Sequence, residues 1–374
     1  VNVLALNAGR NTLRYKLFAM PREEVLKDAS FDNVKGPATA EAAARAVANC
    51  LPLGVQAVGY RVVHGGPRLT GPVRITSEVL EEVRSLAGLA PLHVPTDLEV
   101  IAASSSTAPG VPGVAVFDTA FHRTLPEFAW RYALPEEVED GGMGGLRRYG
   151  FHGIAHQFVV GELLRLLGRD AGGTRLISCH LGGGASACAV RDGRSIDISM
   201  GLTPLEGLVM STRSGDVDPG LVLCLLRHKG LTPKEVEDLL YRRSGLLGLS
   251  GRSGDIRELE PAAAGGDPRA ELALEVQAYR VRKYIGAYAA ALEGLDAVAL
   301  SGALAEHSAG IRRRVLRGLE FLGIQLDEER NRAAGPDAPT GLSADGSAVP
   351  VWLVPADEER QIARETYQTL ARTA

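Results

Sequence analysis

His64, His93, His122, His152, His156 and His180 are six of the eight histidines of this 374-residue chain, and all lie within one third of it. A single histidine is more often a satisfied structural side chain than a catalytic one, but the settings of these matter. Arg61-Val62-Val63-His64-Gly65-Gly66 follows an apolar run and ends in a glycine turn. Leu92-His93-Val94-Pro95 sits on a proline-bounded loop, and Phe117-Asp118-Thr119-Ala120-Phe121-His122 closes another apolar run. In open α/β sheets ligands bind beyond the carboxyl ends of strands, where these segments fall. His152 and His156 have the four-residue spacing of a zinc pair. The intervening Gly153-Ile154-Ala155 lacks the glutamate of the metalloprotease motif and no third ligand stands out, so zinc is not expected. The densest polar stretch runs from Met200 through Ser211-Thr212-Arg213-Ser214-Gly215-Asp216 to Gly220. An arginine in such a loop suits an oxyanion, because guanidinium is a fixed bidentate donor.

Anion binding also has backbone candidates. Gly182-Gly183-Gly184 follows an apolar run, and such turns expose consecutive N–H groups. Asn7-Ala8-Gly9-Arg10-Asn11-Thr12 could act likewise. Two such hairpins on facing domains would enclose a nucleotide. No Gly-Lys-Ser/Thr occurs, which excludes a Walker P-loop. Gly141-Gly142-Met143-Gly144-Gly145 reads as a flexible loop and not a dinucleotide fingerprint, since no strand leads into it and no helix leaves it.

The elements that must position these residues alternate. Val1–Leu6 and Thr12–Phe18 read as a strand pair, and Leu176–His180 with Ala185–Val190 repeats it half a chain later, which suggests a duplicated domain. Gln56–Val63, Gly113–Phe117 and Ala297–Leu300 read as strands. Ala38–Asn49, Glu78–Leu89, Pro233–Leu240, Ala270–Leu292 and Ala309–Leu322 read as helices. This alternation points to layered α/β domains. Arg312, Arg313, Arg314 and Arg317 lie opposite Ile311, Val315, Leu316 and Leu319, which predicts the solvated face of an amphipathic helix. Asn331–Val349 reads as an exposed loop.

Composition narrows the class. With 41 Lys+Arg against 45 Asp+Glu the formal charge is -4, so no nucleic-acid partner is expected. Four cysteines without a Cys-x-x-Cys pair do not make a disulfide framework. No long uncharged apolar stretch predicts a membrane partner, and the first residues lack a basic leader, so a cytoplasmic location is expected.

Taken in order, the segments resemble one family, the acetate kinases with their propionate and butyrate kinase relatives. The matching stretches are Leu4–Gly9, Arg61–Gly66, Ala90–His93, Val116–His122, Arg148–Gly153, Cys179–Gly182, Met200–Pro219, Ser244–Gly248, Asp255–Arg257 and Pro355–Glu359. The resemblance implies a duplicated actin-like ATPase fold (acetate/sugar kinase–Hsp70–actin), two domains around a cleft. One lobe would comprise residues 1–121 with 360–374, and the other 122–359. It implies a homodimer, reversible phosphoryl transfer from ATP to acetate, and Mg²⁺ as the metal with Mn²⁺ as an alternative. By the same resemblance Arg61 and Arg213 clamp the carboxylate and the transferring group, His152 donates to the transition state, and Asp118 completes the catalytic set. Val63, Leu92, His93, Phe151 and Pro204 match the carboxylate pocket. Asn7, Asp118 and Glu358 match metal positions. Arg14, His180, Gly182, Gly183, Gly184, Asp255, Ile256, Arg257, Gly302, Ala303, Leu304 and Ala305 match the nucleotide side.

Carboxylate chemistry agrees with that distribution. The acceptor is already ionised at neutral pH, with a reference pKa of about 4, so no general base is needed. The site must instead cancel charge between two anions and hold them in line. Three segments depart from the family pattern. Arg10, Asn11, Thr12 and Arg14 replace its serines and lysine, Ala303 and Ala305 replace two glycines, and Gly183 replaces an asparagine. All three are on the donor side. They leave open a carboxylate kinase that uses pyrophosphate or another nucleotide, and a binding protein that has lost turnover.

Overall fold

The computed structural model describes residues 1–9, 11–91, 93–139 and 145–372. The chain divides into two units, one of residues 1–123, 131–158 and 357–374, the other of residues 124–130 and 159–356. The Gly141–Gly144 stretch, Arg10 and Leu92 lie outside the described residues.

The first unit holds a six-stranded sheet of β1 (Asn2–Ala8), β2 (Thr12–Ala19), β3 (Glu24–Asp32), β4 (Ala57–Val62), β5 (Val73–Arg74) and β6 (Gly113–Phe117), in the order β3-β2-β1-β4-β6-β5. β1 pairs antiparallel with β2 and parallel with β4, and β4 pairs parallel with β6. β1 is buried along almost its whole length, which is why it reads as a continuous apolar run. β3 was not anticipated. It is an exposed edge strand carrying Glu24, Lys27, Asp28 and Asp32, and such charges discourage edge pairing while erasing the apolar alternation that marks a strand. The helix Glu358–Arg372 covers one face, setting Ile362 and Ala363 against Val3, Ala5, Ala57, Val114 and Val116. The helices Pro37–Cys50 and Val94–Thr107 pack together and onto the sheet.

The second unit repeats this plan with β7 (Arg175–Leu181), β8 (Ala185–Arg191), β9 (Arg194–Ile198), β10 (Ala297–Ser301), β11 (Thr340–Gly341) and β12 (Val351–Leu353), in the order β11-β12-β10-β7-β8-β9. β7 is antiparallel to β8 and parallel to β10, and β10 is parallel to β12, as in the first sheet. The shared order of two antiparallel hairpin strands followed by two parallel crossovers is the duplication that the repeated hairpins suggested. The 24-residue helix Pro268–Ala291 packs on β8 and β7.

Three expectations need correction. The helix expected over Ala309–Leu322 stops at Leu316, and Gly318 (φ 81°) turns the chain into a separate turn at Glu320–Leu322. Glu78–Leu89 is a helix only over Ser77–Ser85, followed by a 3-10 turn at Leu86–Gly88. Asn331–Val349 is not simply an exposed loop. Asn331 and Leu342 are fully buried, and Thr340–Gly341 pairs with β12.

The arginine face is also divided. Arg313, Arg314 and Arg317 do lie outward, paired with Glu328, Glu271 and Glu275. Arg312 is instead 1% exposed. Its Nε donates to Asn331 Oδ1 (2.8 Å), Nη1 to the Ala305 carbonyl (2.6 Å), and Nη2 to the carbonyls of Asn331 and Ala334. Those carbonyls replace water around the guanidinium, which is what makes its burial tolerable.

Candidate active site

In the first unit the expected residues gather at the carboxyl ends of β1, β4 and β6. Arg61, near the end of β4, donates from Nε and Nη2 to Asp118 Oδ2 (3.0 and 2.6 Å) and from Nη1 to the carbonyl of Ala8 (2.7 Å). Guanidinium carries five N–H groups and three are committed, leaving one on each terminal nitrogen for a substrate oxyanion. Burial works against this charge, but Asp118, then Glu358, outweighs it and holds Arg61 firmly protonated. Asp118 extends the ladder of β6, its N–H bonding the Val62 carbonyl (3.0 Å).

Asn7 stands at the end of β1, 8% exposed, and its Nδ2 donates to Glu358 Oε2 (2.6 Å) and Glu359 Oε1 (2.8 Å). Its amide oxygen is thereby left as the atom a cation would take. Asn7, Asp118 and Glu358 offer only amide and carboxylate oxygens, the donor set of a hard divalent ion such as Mg²⁺. Among the described residues no group of three or more His, Cys, Asp or Glu is arranged as a metal cluster, so the amide is essential to this reading. Glu359, not singled out in the sequence, is buried, and burial followed by its neighbour Glu358 raises its pKa. Lys16 also went unnoticed. It bonds Asp357 (3.1 Å) from the same strand as Arg14, which is exposed and lies across from Asn7. Adjacent acidic residues at 357–359 were the available signal.

His152 has φ 59°, a backbone region that non-glycine residues seldom occupy. It is held there because the next N–H, of Gly153, bonds the Asp118 carbonyl (2.8 Å), and a Cβ on Gly153 would collide with that same carbonyl. The strained backbone thus sets His152 immediately before the residue that bonds the Asp118 carbonyl, and such strain is typical of functional positions. Val63 and Phe151 are both buried, and the His64 ring meets Phe151 (5.6 Å) and Tyr149 (4.5 Å) edge-on. The Val63 N–H bonds Asp97 Oδ2 (2.9 Å), and burial pushes Asp97 up to about 7. His93 precedes the helix Val94–Thr107 and is half-buried. His122 and His156 are core residues whose rings meet at 5.9 Å, and His122 also bonds the Phe151 carbonyl (3.1 Å).

In the second unit six of the residues expected on the nucleotide side share one hollow. Gly183, Asp255, Ile256, Arg257, Ala303 and Leu304, with Ser211, Gly254 and His307, line a hollow of about 380 Å³. Ile256 and Leu304 supply apolar wall, while Arg257 is held against Asp255 by Nε (3.0 Å) and Nη2 (2.6 Å). Asp255 also caps the helix Ile256–Ala264. A mostly apolar hollow with few polar groups is the usual form of a small-molecule site. Gly302 (φ 82°) turns β10 into the short helix Ala303–His307, and a Cβ there would come within 2.6 Å of the Leu181 carbonyl. His180 lies at the end of β7, Nδ1 3.2 Å from Ser301 Oγ. Gly182 has spent its N–H on Gly184 (2.9 Å), so within that turn Gly183 is the exposed member that reaches the hollow.

The departures separate here. Ala303 faces the hollow, whereas Ala305 is fully buried away from it. Both are helical, so neither needs glycine's freedom at φ. Elsewhere in the unit, Arg213 Nη1 bonds the Pro204 carbonyl (3.0 Å), bringing together two residues expected on the acceptor side.

Residues 40–364 match the Acetokinase family. The chain belongs to that family. The acetate kinase of Anoxybacillus flavithermus is 45% identical over 97% of both chains. Among solved structures, Porphyromonas gingivalis acetate kinase superposes with a TM-score of 0.89 at 37% identity, covering 99% of each chain. A propionate kinase from Francisella tularensis gives 0.88 at 33% identity, over 98% of this chain and 99% of that one. The duplicated α/β fold expected from the resemblance is therefore present as two units of repeated topology, consistent with an actin-like ATPase fold.

Proposed function

We propose that this acetokinase-family chain is an acetate kinase, transferring the γ-phosphoryl group of ATP reversibly to acetate to give acetyl phosphate and ADP. Likeness to acetate kinases along nearly the full length carries the reading. Arg61 and Arg213 cancel charge on the carboxylate and the transferring group, and His152 donates to the transition state. Val63, Leu92, His93, Phe151 and Pro204 are the residues assigned to the carboxylate. Asn7, Asp118 and Glu358 would hold Mg²⁺, or Mn²⁺ in its place, which when bound offsets charge on the phosphates. His180, the Gly182–Gly184 turn and the hollow from Asp255 to Ala303 take the nucleotide, with Arg14 assigned to the same side, while Ala305, fully buried and outside the hollow's lining, supports the fold. A homodimer belongs to the proposal, supported by the helix Pro219–His228, which exposes Leu221 and Leu223 and buries none of its residues. A cytoplasmic location agrees with four free cysteines and with no helix among the described residues long and apolar enough to cross a membrane.

The test is hydroxamate-coupled turnover with acetate against ATP, GTP and pyrophosphate in turn. Turnover with ATP at a micromolar-to-millimolar KM is expected. Turnover with pyrophosphate alone would move the chain to another donor, and ATP binding without turnover would make it a binding protein. Propionate is the second acceptor to assay, because one methylene discriminates by only about 1–3 kcal/mol and the Francisella relative is a propionate kinase.

A further inference from the structure

Arg213 lies on a stretch from Met200 to Asp218 with no helix or strand of its own. Loops that long within a compact unit are uncommon and are usually functional. An arginine on such a loop has a defined position only if something rigid holds the loop. Its neck is closed by Asp216. The Asp216 N–H donates to the Gly207 carbonyl (2.9 Å), and Asp216 Oδ1 accepts from the Gly207 N–H (2.7 Å). Gly215 (φ 67°) makes the turn at the neck, where a Cβ would come within 2.5 Å of the carbonyls of Gly207 and Leu208.

The other carboxylate oxygen faces the long helix Pro268–Ala291. Oδ2 accepts from Tyr284 Oη (2.8 Å) and from Arg280 Nη1 (3.2 Å), and Gln277 Nε2 reaches the Val209 carbonyl (3.4 Å). Positions 277, 280 and 284 have the i, i+3, i+7 spacing of a single helix face. A polar seam on a rigid helix therefore grips the loop on both sides of Arg213, in addition to the backbone bonds that tie Met210, Ser211, Thr212 and Ser214 to Leu246, Leu247, Ser244 and Leu240, and Arg213 in turn holds Pro204.

We propose that Asp216, locked by Arg280 and Tyr284, is a positioning residue that helps set where Arg213 stands for phosphoryl transfer. The proposal rests on the acetate kinase reading and on the role given there to Arg213. Asp216 touches no substrate in this account and acts through the arginine.

A double-mutant cycle on the full chain tests it. Tyr284→Phe removes one hydrogen bond while keeping the ring beside Tyr288, and Arg280→Gln is a second variant at the same carboxylate. Each is expected to lower kcat by about fivefold to tenfold, the scale of one lost hydrogen bond, with the KM for ATP unchanged. In an Arg213→Lys background the same changes are expected to leave kcat where that background sets it, while Tm falls as it does in the wild type. A folded Tyr284→Phe enzyme with wild-type kcat, or kcat losses that multiply in the Arg213→Lys background, overturns the proposal. Wild-type turnover in Arg213→Ala would overturn instead the role of Arg213 on which it stands.

Discussion

Arg61 and Asp118 form a two-pronged contact on a single oxygen, Nε and Nη2 meeting Oδ2 at 3.0 and 2.6 Å, with side chains only 14% and 1% exposed. The pair joins the ends of β4 and β6, and through the Ala8 carbonyl it reaches β1. Three strand ends thus share one ion pair. The arginine is oriented before any substrate arrives, so ordering it costs little at the moment of reaction.

Removing one partner leaves a buried charge uncompensated, at a cost of about 3–5 kcal/mol. Asp118→Ala should therefore lower Tm markedly as well as turnover, while Asp118→Asn, which keeps an acceptor, should lower Tm less. Thermal unfolding of the two variants checks the ordering, and equal Tm values would contradict it.

Arg61→Ala and Arg213→Ala should each reduce kcat by about 10²–10³, the usual loss for one transition-state donor. The far-UV circular dichroism spectrum should be retained in both. Wild-type-like kcat in either variant would remove that arginine from the chemistry.

Ala303 and Ala305 should behave differently although both replace a family glycine. Ala303→Leu places bulk in the 380 Å³ hollow and is expected to raise the KM for ATP by about tenfold or more, with the KM for acetate unchanged. Ala305→Gly removes a buried methyl from a helix, so it should lower Tm and leave both KM values alone. A rise in acetate KM with Ala303→Leu would place the hollow on the acceptor side.

Burial lowers His64 and His122 to about 4 from an ordinary 6.5, and raises Asp97 to about 7 from 3.8. The histidines contribute stability that is full above pH 6.5 and lost as pH falls toward 4. Asp97 contributes stability that is full below about pH 3.8 and lost as pH rises through 7. Between pH 4.5 and 6 the two effects oppose one another. Asp97→Asn keeps an acceptor for the Val63 N–H and removes the opposing group. Its Tm should consequently fall more steeply with acid than the wild type's, and should compare best with the wild type near pH 8. Parallel curves of Tm against pH for the two proteins would refute the burial of an ionisable Asp97.

The residues that could do chemistry were legible because strand ends leave local marks. An apolar run followed by glycine or a polar residue puts Arg61, Asp118 and Gly302 at carboxyl ends without any knowledge of pairing, and the two hairpins half a chain apart exposed the duplication. Periodicity failed where exposure and burial did not follow it. The strand Glu24–Asp32 carries charge along a free edge, and Arg312 follows the polar phase of its helix yet is buried under the carbonyls of Ala305, Asn331 and Ala334.

By itself the sequence determined which side chains stand at the ends of strands, since that depends on neighbours a few positions away. Only the tertiary structure decided who meets whom. Asn7 finds Glu358 across 351 positions of chain, Gly183 shares a hollow with Asp255 and Ala303, and a helix face 64 residues beyond Asp216 grips its carboxylate. Such partners are set by sheet register and helix packing, which sum over the whole core, so no window of local propensity contains them.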